Sequence, residues 1–280
     1  MQTVTSPGVL AGKGIVITRP ALQADSICRL LLEHNAVPIA FPTLLIQPVA
    51  DPALAKARLR ELEQYDLLLF ISVNAVEQAL ALLSQDLPQD LPQDLPQDLP
   101  LGLPKRPKLA AIGKATARAL SQAGRAPDFL PVQGNDSEAL LALPALHQVK
   151  GWRVLIVRGV GGRETLAETL RARGARVEYA EVYQRTIPKA DPQSLIARWR
   201  QGEIHAVTAT SNETLQNLYD MVGTDGRADL LATRLVVVSP RAAVLARQLG
   251  FRQPAQVAAE AGDQALLDAL LRCFGQSPKP

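Results

Sequence analysis

The residues best suited to chemistry in this sequence have hydroxyl, amide or basic side chains, or are glycines, and they follow short apolar segments. These candidate positions are Arg19, Ser72, Asn74, Thr116, Arg158, Gly159, Arg163, Thr210, Ser211, Ser239 and Arg241. Parallel sheets gather such positions at the carboxyl ends of their strands, where helix N-termini expose unpaired N–H groups. The set contains no carboxylate pair, no histidine with an orienting acid and no metal-ligand spacing. We therefore expect a metal-free site of hydrogen-bond donors for a ligand rich in carboxylates or phosphates.

A glycine-rich segment, RGVGGRE at 158–164, resembles a nucleotide-binding loop only superficially. It follows an apolar strand and opens a helix, but it lacks the G-x-G-x-x-G spacing, and Glu181 is a weak match for the acidic residue of that fingerprint. The three histidines, His34, His147 and His205, lie at predicted helix ends or before a strand, which favours solvated structural roles. Nucleotide binding and histidine catalysis are therefore not favoured.

The elements that position the candidate side chains occur twice along the chain. Arg19 is matched by Arg158, and Ser72 by Ser211, at a constant offset of 139 residues. The offset is smaller beyond the DLPQ repeats of the first copy, at 86–100, which are therefore interpreted as an insertion. A proline at every fourth position there predicts an exposed, extended loop. Two similar lobes are expected to leave a cleft between them, where ligands usually bind.

Short apolar strands alternate with longer helical segments in both copies, which is typical of parallel sheets covered by helices on both faces. The strands predicted in the first copy are 14–20, 36–41, 66–72, 108–113 and 128–132. The helices predicted there are 22–33, 52–64, 75–83, 115–123 and 137–146. Gly124, Gly174 and Gly250 stand where helices should end. Two further segments, 41–49 and 180–188, prolong the strand before them and are interpreted as paired connectors between the lobes.

The composition bounds the class of protein. A chain of 280 residues with 47% hydrophobic residues is large enough for two modest cores. A net charge of +3, spread thinly, and only 4% aromatic residues argue against a nucleic-acid partner. Cys28 and Cys273 lie on amphipathic helices and are interpreted as packing residues. Without a signal-peptide pattern or a bilayer-length apolar run, the sequence predicts a cytoplasmic protein with no membrane partner.

Eight segments occur in a characteristic order and spacing: VITRP, FISVNAV, AIGKATA, GNDSEALL, VLIVRG with Arg163, EVYQR, TATSNE and VVVSPRAAVLARQLGF. Together they resemble the uroporphyrinogen-III synthase family over nearly the whole chain. The resemblance implies an α/β fold of two similar lobes, each a parallel sheet flanked by helices, joined by a two-stranded connector. It places 1–40 with 189–280 in lobe one, 47–180 in lobe two, and 41–46 and 181–188 in the connector.

The resemblance also implies a reaction that needs no cofactor. The family's substrate, hydroxymethylbilane, is a linear tetrapyrrole with many carboxylates. It loses water, and the resulting azafulvene is attacked at the substituted carbon of the last ring. The spiro intermediate then reopens and recloses with ring D inverted, which gives uroporphyrinogen III. The implied enzyme class is a lyase.

The family's pattern also implies roles for residues of this chain. Tyr183, in EVYQR, matches the tyrosine proposed to hydrogen-bond the departing hydroxyl. Ser137 lies in GNDSEALL, and Ser72, Thr116 and Ser211 match hydroxyl positions of the cleft, although serine at such turns also caps helices. Arginines 19, 158 and 163 are expected either to bind substrate carboxylates or to form ion pairs. Where many relatives have Thr-Thr, this chain has Arg241 and Ala242 after Ser239 and Pro240, so Arg241 is expected to replace a hydroxyl contact.

The resemblance is also compatible with a monomer that makes transient contact with hydroxymethylbilane synthase. The alternative interpretation is a two-lobed protein that binds or senses a small anionic ligand without catalysis. The absence of a signal peptide and of a basic DNA-reading helix argues against the periplasmic and repressor forms of that alternative.

Overall fold

A computed structural model of the chain describes residues 8–85, 103–132, 134, 136–260 and 262–275. The loop predicted at 86–100 lies outside the described residues. The chain divides into two compact units. Unit 1 comprises Met1–Leu45 and Thr186–Pro280, and unit 2 comprises Ile46–Arg185. Each unit is described by itself below.

The described residues form strands and helices in alternation. The strands are β1 (Gly14–Ile17), β2 (Val37–Ala40), β3 (Leu45–Pro48), β4 (Leu67–Phe70), β5 (Lys108–Ala111), β6 (Arg153–Gly159), β7 (Arg176–Thr186), β8 (Ile204–Ala209), β9 (Arg234–Val237) and β10 (Gln256–Val257). The α-helices are α1 (Asp25–Glu33), α2 (Ala53–Arg60), α3 (Val73–Ser84), α4 (Lys114–Gln122), α5 (Ser137–Leu141), α6 (Thr165–Ala172), α7 (Gln193–Arg200), α8 (Asn212–Met221), α9 (Gly223–Ala232), α10 (Pro240–Leu249) and α11 (Asp263–Gly275). Short 3₁₀ helices cover Ala21–Gln23, Leu62–Gln64 and Pro144–His147. The fold class is α/β, as the sequence predicted.

Among the described residues, each unit contains one five-stranded sheet. The order is β10-β9-β8-β1-β2 in unit 1 and β3-β7-β6-β4-β5 in unit 2. β1 pairs in parallel with both β2 and β8, so the first strand-helix-strand segment completes the sheet of the C-terminal half. β4 pairs in parallel with β5 and β6, and β6 with β7. The duplicated sequence thus folds into the same strand order twice, with β5, β4, β6 and β7 corresponding to β9, β8, β1 and β2.

Apolar clusters cover both faces of both sheets. Val207 and Val237 of unit 1 belong to one cluster, whereas Ile15 and Val236 belong to the cluster on the opposite face. All four residues of β4 in unit 2 are fully buried and alternate between two clusters in the same way. A strand buried on both faces explains why these segments are continuously apolar rather than alternating.

The predicted connectors differ in their outcome. The second segment prolongs its strand as predicted, because β7 runs without interruption to Thr186. The first is wrong as a continuous strand, since β2 ends at Ala40 and β3 lies in the other sheet. Pro42 lacks an N–H for a ladder. Thr43 instead attaches to α8: its hydroxyl donates to the carbonyl oxygen of Thr214 at 2.9 Å, and Asn217 donates to the Thr43 carbonyl at 2.8 Å.

Two other sequence predictions need correction. The strand predicted at 128–132 is reduced to a single bridge between Ala110 and Phe129, because the prolines on either side of Phe129 supply no N–H for a ladder. The helix predicted at 137–146 ends at Leu141, and Pro144 starts a 3₁₀ turn instead. The predicted helix ends at the three glycines are confirmed, with positive φ of 86° at Gly124, 87° at Gly174 and 95° at Gly250.

Candidate functional site

The carboxyl ends of the strands in unit 2 bring several predicted residues to one edge of the sheet. Ser72 follows β4, Gly159 ends β6, and Tyr183 lies in the last part of β7. Asn74 lies in the first turn of α3 after Ser72. Thr116 lies in the first turn of α4 and is only 3% exposed, so its hydroxyl is largely withdrawn from solvent.

A hydrogen bond joins two predicted residues from the ends of different strands, Ser72 and Tyr183. Their hydroxyl oxygens lie 3.1 Å apart, and Arg185 donates to the Tyr183 hydroxyl at 3.1 Å. Ser72 also caps α3, because its Oγ accepts the Ala75 N–H at 3.0 Å. The Tyr183 side chain is 0% exposed, whereas Ser72 is half-buried. Tyr183 was expected to meet the departing hydroxyl of a substrate directly; in this structure Ser72 is the accessible member of the pair.

Gly159 has a steric reason to be glycine. A Cβ at this position would lie 2.6 and 2.7 Å from two carbons of the Tyr183 ring, closer than real contacts allow. The β6–β7 register shifts between Arg158 and Gly159, so that Gly159 faces Tyr183. Such irregularities re-aim side chains near sites. Substrate binding by Gly159 stays a prediction, whereas the structure shows that this glycine makes room for the Tyr183 ring.

Arg158 is surrounded by two carboxylates and an aromatic ring. It is 7% exposed and donates to Glu164 at 2.9 Å and to Glu181 at 3.2 Å. Its guanidinium lies 3.9 Å from the centre of the Tyr179 ring, and the Tyr179 hydroxyl donates to Glu164. Burial lowers the pKa of Arg158, but the hydrogen bond and charge of Glu164 and the hydrogen bond of Glu181 outweigh burial and leave that pKa above its ordinary value. The ion-pair alternative stated for Arg158 is therefore present in the structure.

The contacts of Glu164 shift two pKa values, and Glu181 holds the turn after β6. A hydrogen bond from Tyr179, and then one from Arg158, lower the pKa of Glu164. Burial, followed by the hydrogen bond to Glu164, raises the pKa of Tyr179. Glu181 Oε1 also accepts the Gly161 N–H at 3.3 Å, which attaches the glycine-rich turn to β7.

A cavity of about 350 Å³ opens beside this cluster within unit 2. Its lining includes the predicted residues Ser137, Arg158 and Arg163, together with Tyr179 and Arg185. Arg163 is 55% exposed and pairs with Glu138 at 3.1 Å across open solvent, an arrangement of little energetic weight. The lining also contains the Asp136 carboxylate and several apolar side chains, and its arginine and hydroxyl groups are donors suited to an acidic group of a ligand.

In unit 1, the remaining predicted residues lie at the corresponding edge of the other sheet. Thr210 and Ser211 follow β8, and Ser211 forms a capping box with Thr214 of α8. Ser239 follows β9 and accepts the Ala242 N–H at 3.2 Å, which caps α10. Arg241 is exposed in the first turn of that helix.

Arg19, after β1 of unit 1, is held by an ion pair with Asp263 of α11. The ion-pair alternative is thus present for Arg19 as it is for Arg158, although the two arginines have partners from unrelated positions. Cys28 and Cys273 pack against the apolar cluster that includes Ile15, in keeping with packing roles, and burial raises the pKa of both thiols.

Two coarse features of the described residues also bear on function. No group of three or more His, Cys, Asp or Glu side chains within them is placed to hold a metal ion. None of their helices has both the length and the apolar character needed to cross a membrane.

Comparison with known proteins decides the family. The family model described as uroporphyrinogen-III synthase HemD matches residues 25–268. The uroporphyrinogen-III synthase of Salmonella typhimurium is 39% identical over 260 residues, which cover 91% of this chain and 99% of that protein. The chain belongs to the uroporphyrinogen-III synthase family. The Escherichia coli synthase is likewise 37% identical over 257 residues, with 91% and 99% of the two chains covered.

Solved structures support the fold of this uroporphyrinogen-III synthase family member. A mutant uroporphyrinogen III synthase from the bacterium Thermus thermophilus matches with a TM-score of 0.62 at 20% identity, over 95% of this chain and 100% of that one. The synthetase from Helicobacter pylori matches with a TM-score of 0.57 at 14% identity, over 93% and 99% of the two chains. The family makes the chain a lyase-type enzyme of tetrapyrrole and haem biosynthesis that cyclises hydroxymethylbilane, and the non-catalytic alternative is not favoured.

Three polar residues of the unit 2 edge were not selected from the sequence. Tyr179 and Glu164 complete the Arg158 cluster, and Arg185 reaches the Tyr183 hydroxyl. Arg185 stands in the EVYQR motif two residues beyond Tyr183, and residues two apart in a strand share a face. That spacing was the available signal for Arg185. Glu164 closes the RGVGGRE segment, but its pairing with Arg158 depends on the turn between them, which the sequence does not specify.

Proposed function

We propose that the chain converts hydroxymethylbilane to uroporphyrinogen III by binding the substrate's carboxylates at the polar strand ends of its units. The residues proposed to bind substrate are Arg19, Ser72, Asn74, Thr116, Ser137, Arg158, Gly159, Arg163, Thr210, Ser211, Ser239 and Arg241. Their hydroxyl, guanidinium and N–H groups are donors, which is the chemistry a polyacid needs. No metal or cofactor is part of the proposal.

The observation that carries this proposal is the hydroxyl pair at the end of β4 and β7. The hydroxyl oxygens of Ser72 and Tyr183 lie 3.1 Å apart, and Arg185 adds a cationic donor to the tyrosine oxygen. A hydrogen bond from this pair to the hydroxymethyl oxygen would favour its departure as water. The resemblance implies Tyr183 as the catalytic residue; in this conformation we propose that Tyr183 positions Ser72, whose hydroxyl contacts the substrate.

Donors are sufficient for this chemistry. The pyrrole nitrogen supplies the electrons that break the C–O bond and gives up its N–H proton, while the departing hydroxyl gains one proton and leaves as water, so a strong general acid is unnecessary. The enzyme must favour attack at the substituted carbon over direct closure, which is the route taken spontaneously. Each hundredfold shift toward the inverted product needs only about 2.7 kcal/mol of differential transition-state binding, which several weak contacts can supply.

The cavity of unit 2 suits one part of the substrate. Its volume of about 350 Å³ lies at the low end of small-molecule pockets, so it fits an acidic side chain or one pyrrole ring rather than a whole tetrapyrrole. Arg163 and Ser137 in its lining are the proposed donors to that group. Arg158 is proposed to contribute a remaining guanidinium N–H, because three of its five N–H groups serve Glu164 and Glu181 and these carboxylates offset its charge.

The finer organisation of the protein is also part of the proposal. Lobe one comprises 1–40 with 189–280, lobe two comprises 47–180, and 41–46 and 181–188 are the connector. The two chain crossings between the compact units, at 45–46 and 185–186, support this division. We propose a cytoplasmic monomer that contacts hydroxymethylbilane synthase transiently, since the substrate is unstable once released.

An isomer assay tests the function. The purified chain is incubated with freshly made hydroxymethylbilane, and the two uroporphyrinogen isomers are separated after oxidation. Excess isomer III over a heat-denatured control is the expected result. Isomer I alone, at the spontaneous rate, together with saturable tetrapyrrole binding, would instead support the binding protein without catalysis.

A further inference from the structure

We infer that Arg185 is a positioning residue that directs the Tyr183 hydroxyl proton toward Ser72 and so makes the Ser72 hydroxyl the outward hydrogen-bond donor to substrate. The inference rests on the function proposed above and adds a residue to it. Its basis is the run of contacts from Arg185 to Tyr183 and from Tyr183 to Ser72, each 3.1 Å long.

The number of hydrogens that each group carries assigns the donor and the acceptor in each of these contacts. Arg185 has donors and no acceptor, so its contact with the Tyr183 oxygen fixes that oxygen as an acceptor there. The tyrosine's own hydrogen then points to Ser72, the other partner within reach. Ser72 Oγ already accepts the Ala75 N–H at 3.0 Å, and with Tyr183 it accepts twice. The single Ser72 hydrogen is therefore left to point away from both partners.

The cation strengthens each step of this run. Arg185 carries a positive charge, and a hydrogen bond from a charged donor is stronger than a neutral one. Its guanidinium also lies 5.5 Å from the centre of the Tyr183 ring, which holds the two side chains together. Consecutive hydrogen bonds polarise one another, so the last hydroxyl becomes the better donor. Only hydrogen bonds are inferred, and no proton transfer from the protein is needed.

The duplicated half of the chain supplies an internal comparison. Ser211 corresponds to Ser72 and caps its helix in the same way. The offset of 139 places Leu44 and Ile46 at the positions of Tyr183 and Arg185. Ser211 donates its hydrogen inside the capping box, to the Thr214 hydroxyl at 3.3 Å. Helix capping therefore does not require the tyrosine and arginine, and their presence in unit 2 alone indicates another role.

A double-mutant cycle with Arg185→Gln and Tyr183→Phe tests the inference. Arg185→Gln should lower kcat for isomer III roughly three- to tenfold, the range for one lost hydrogen bond, with KM nearly unchanged. In the Tyr183→Phe background the same substitution should have almost no further effect, because the route to Ser72 is already cut. Arg185→Lys, which keeps a cationic donor, should recover part of the rate. Arg176→Gln, an exposed arginine at the start of the same strand, is the matched control.

Three outcomes would overturn the inference. Independent, multiplying losses in the double variant, or a rise in KM without a change in kcat, would make Arg185 a direct ligand of substrate carboxylates. Unchanged kinetics in Arg185→Gln would remove the residue from the reaction.

If Arg185→Gln loses its thermal transition, Arg185→Met keeps the apolar stem and replaces it in the cycle. A wild-type chain that forms no excess isomer III would refute the proposed function itself, which is a separate result.

Discussion

Equivalent arginines of the duplication have acquired different surroundings. Arg19 has one carboxylate partner, Asp263, whereas Arg158 has two carboxylates and the Tyr179 ring. A buried guanidinium is stabilised only when its N–H groups are satisfied, so removing one partner leaves a costly unpaired charge. The Arg158 cluster is therefore a matched set that fixes the start of α6 and the turn before it.

The titration of Glu164 makes this set sensitive to acid. Because hydrogen bonds from Tyr179 and Arg158 lower its pKa in the folded protein, ionised Glu164 stabilises the fold above its unfolded pKa of about 4.3. That stabilisation is lost as the pH falls through the lowered folded value. We expect Glu164→Gln to reduce the melting temperature at pH 7 and the difference from wild type to shrink below about pH 4.

Melting curves from pH 3 to pH 8 measure this effect, with Glu168→Gln on the exposed face of the same helix as the control. A difference for Glu164→Gln that stays constant over the whole range would contradict the account.

The contact between Gly159 and Tyr183 predicts a second effect of a single substitution. The methyl group of Gly159→Ala would overlap the tyrosine ring, and overpacking of this kind costs about 1–3 kcal/mol. Since the ring must shift, the rate of isomer III formation should fall as well. Urea unfolding and the isomer assay measure the two effects.

Gly8→Ala is the control for this substitution, because a Cβ there meets nothing within 4 Å. Wild-type stability and rate in Gly159→Ala would show that the ring is not held in this position.

The contacts of individual side chains were only partly predictable. Ser72 and Tyr183 were selected from their motifs, and the structure brings them together. Thr116 was selected in the same way but is buried. The partners of Arg158 come from β7 and from the residue before α6, and no local sequence rule places two carboxylates around an arginine after a glycine-rich turn. Candidate residues could thus be selected from the sequence, whereas the residues that contact them depend on tertiary packing.

The strand-to-helix junctions combine capping with ligand chemistry. Ser72, Ser211 and Ser239 each accept a backbone N–H from the first turn of the next helix. Capping uses the serine oxygen as an acceptor and does not by itself exclude a second contact. The sequence left both roles open for Ser72 and Ser211, and the structure shows the capping role in both.

Substitutions of Ser211 can separate the two roles. Ser211→Ala should lower the free energy of unfolding by roughly 0.5–2 kcal/mol through loss of the cap. Ser211→Asp keeps a capping oxygen at a favourable helix N-terminus, so stability should be near that of wild type. Its negative charge should nevertheless raise KM severalfold by repelling substrate carboxylates. Steady-state kinetics beside urea unfolding measure both, and an unchanged KM in both variants would leave Ser211 a cap only.

Elements were predicted well where the local chemistry is decisive. Helix ends at Gly124, Gly174 and Gly250 follow from the left-handed backbone that glycine tolerates. The break after β2 was missed, because the preference of Thr43 for α8 is a long-range contact. Pro144, by contrast, was a local signal for the early end of α5 and was outweighed by the apolar pattern around it.

The duplication explains most of the architecture of the chain. Equal offsets between repeats predicted repeated strands, and the two sheets have the same strand order over four strands. The sequence alone could not assign β1 and β2 to the sheet of the C-terminal half; that expectation came from the family resemblance, and the pairing of β1 with β8 agrees with it. The insertion at 86–100 is what distinguishes the copies most clearly.

The insertion gives a prediction for the intact protein. A low-complexity segment with a proline in every tetrad has little means of joining a packed core. Shortening 86–100 to a single DLPQ tetrad should leave the melting temperature and the isomer III rate nearly unchanged. Calorimetry and the isomer assay on the shortened chain measure this. A fall of several degrees, or a large loss of rate, would mean that the segment packs or binds.

Conversion of hydroxymethylbilane by Tyr183→Phe is the most direct measurement of the central claim, that donors at the unit 2 edge control the reaction. The substitution removes one hydroxyl and keeps the ring beside Gly159. We predict a several-fold lower rate of isomer III formation, with a partial rather than total loss because no nucleophile is involved, and a nearly unchanged melting temperature. Full wild-type activity in Tyr183→Phe would contradict the claim.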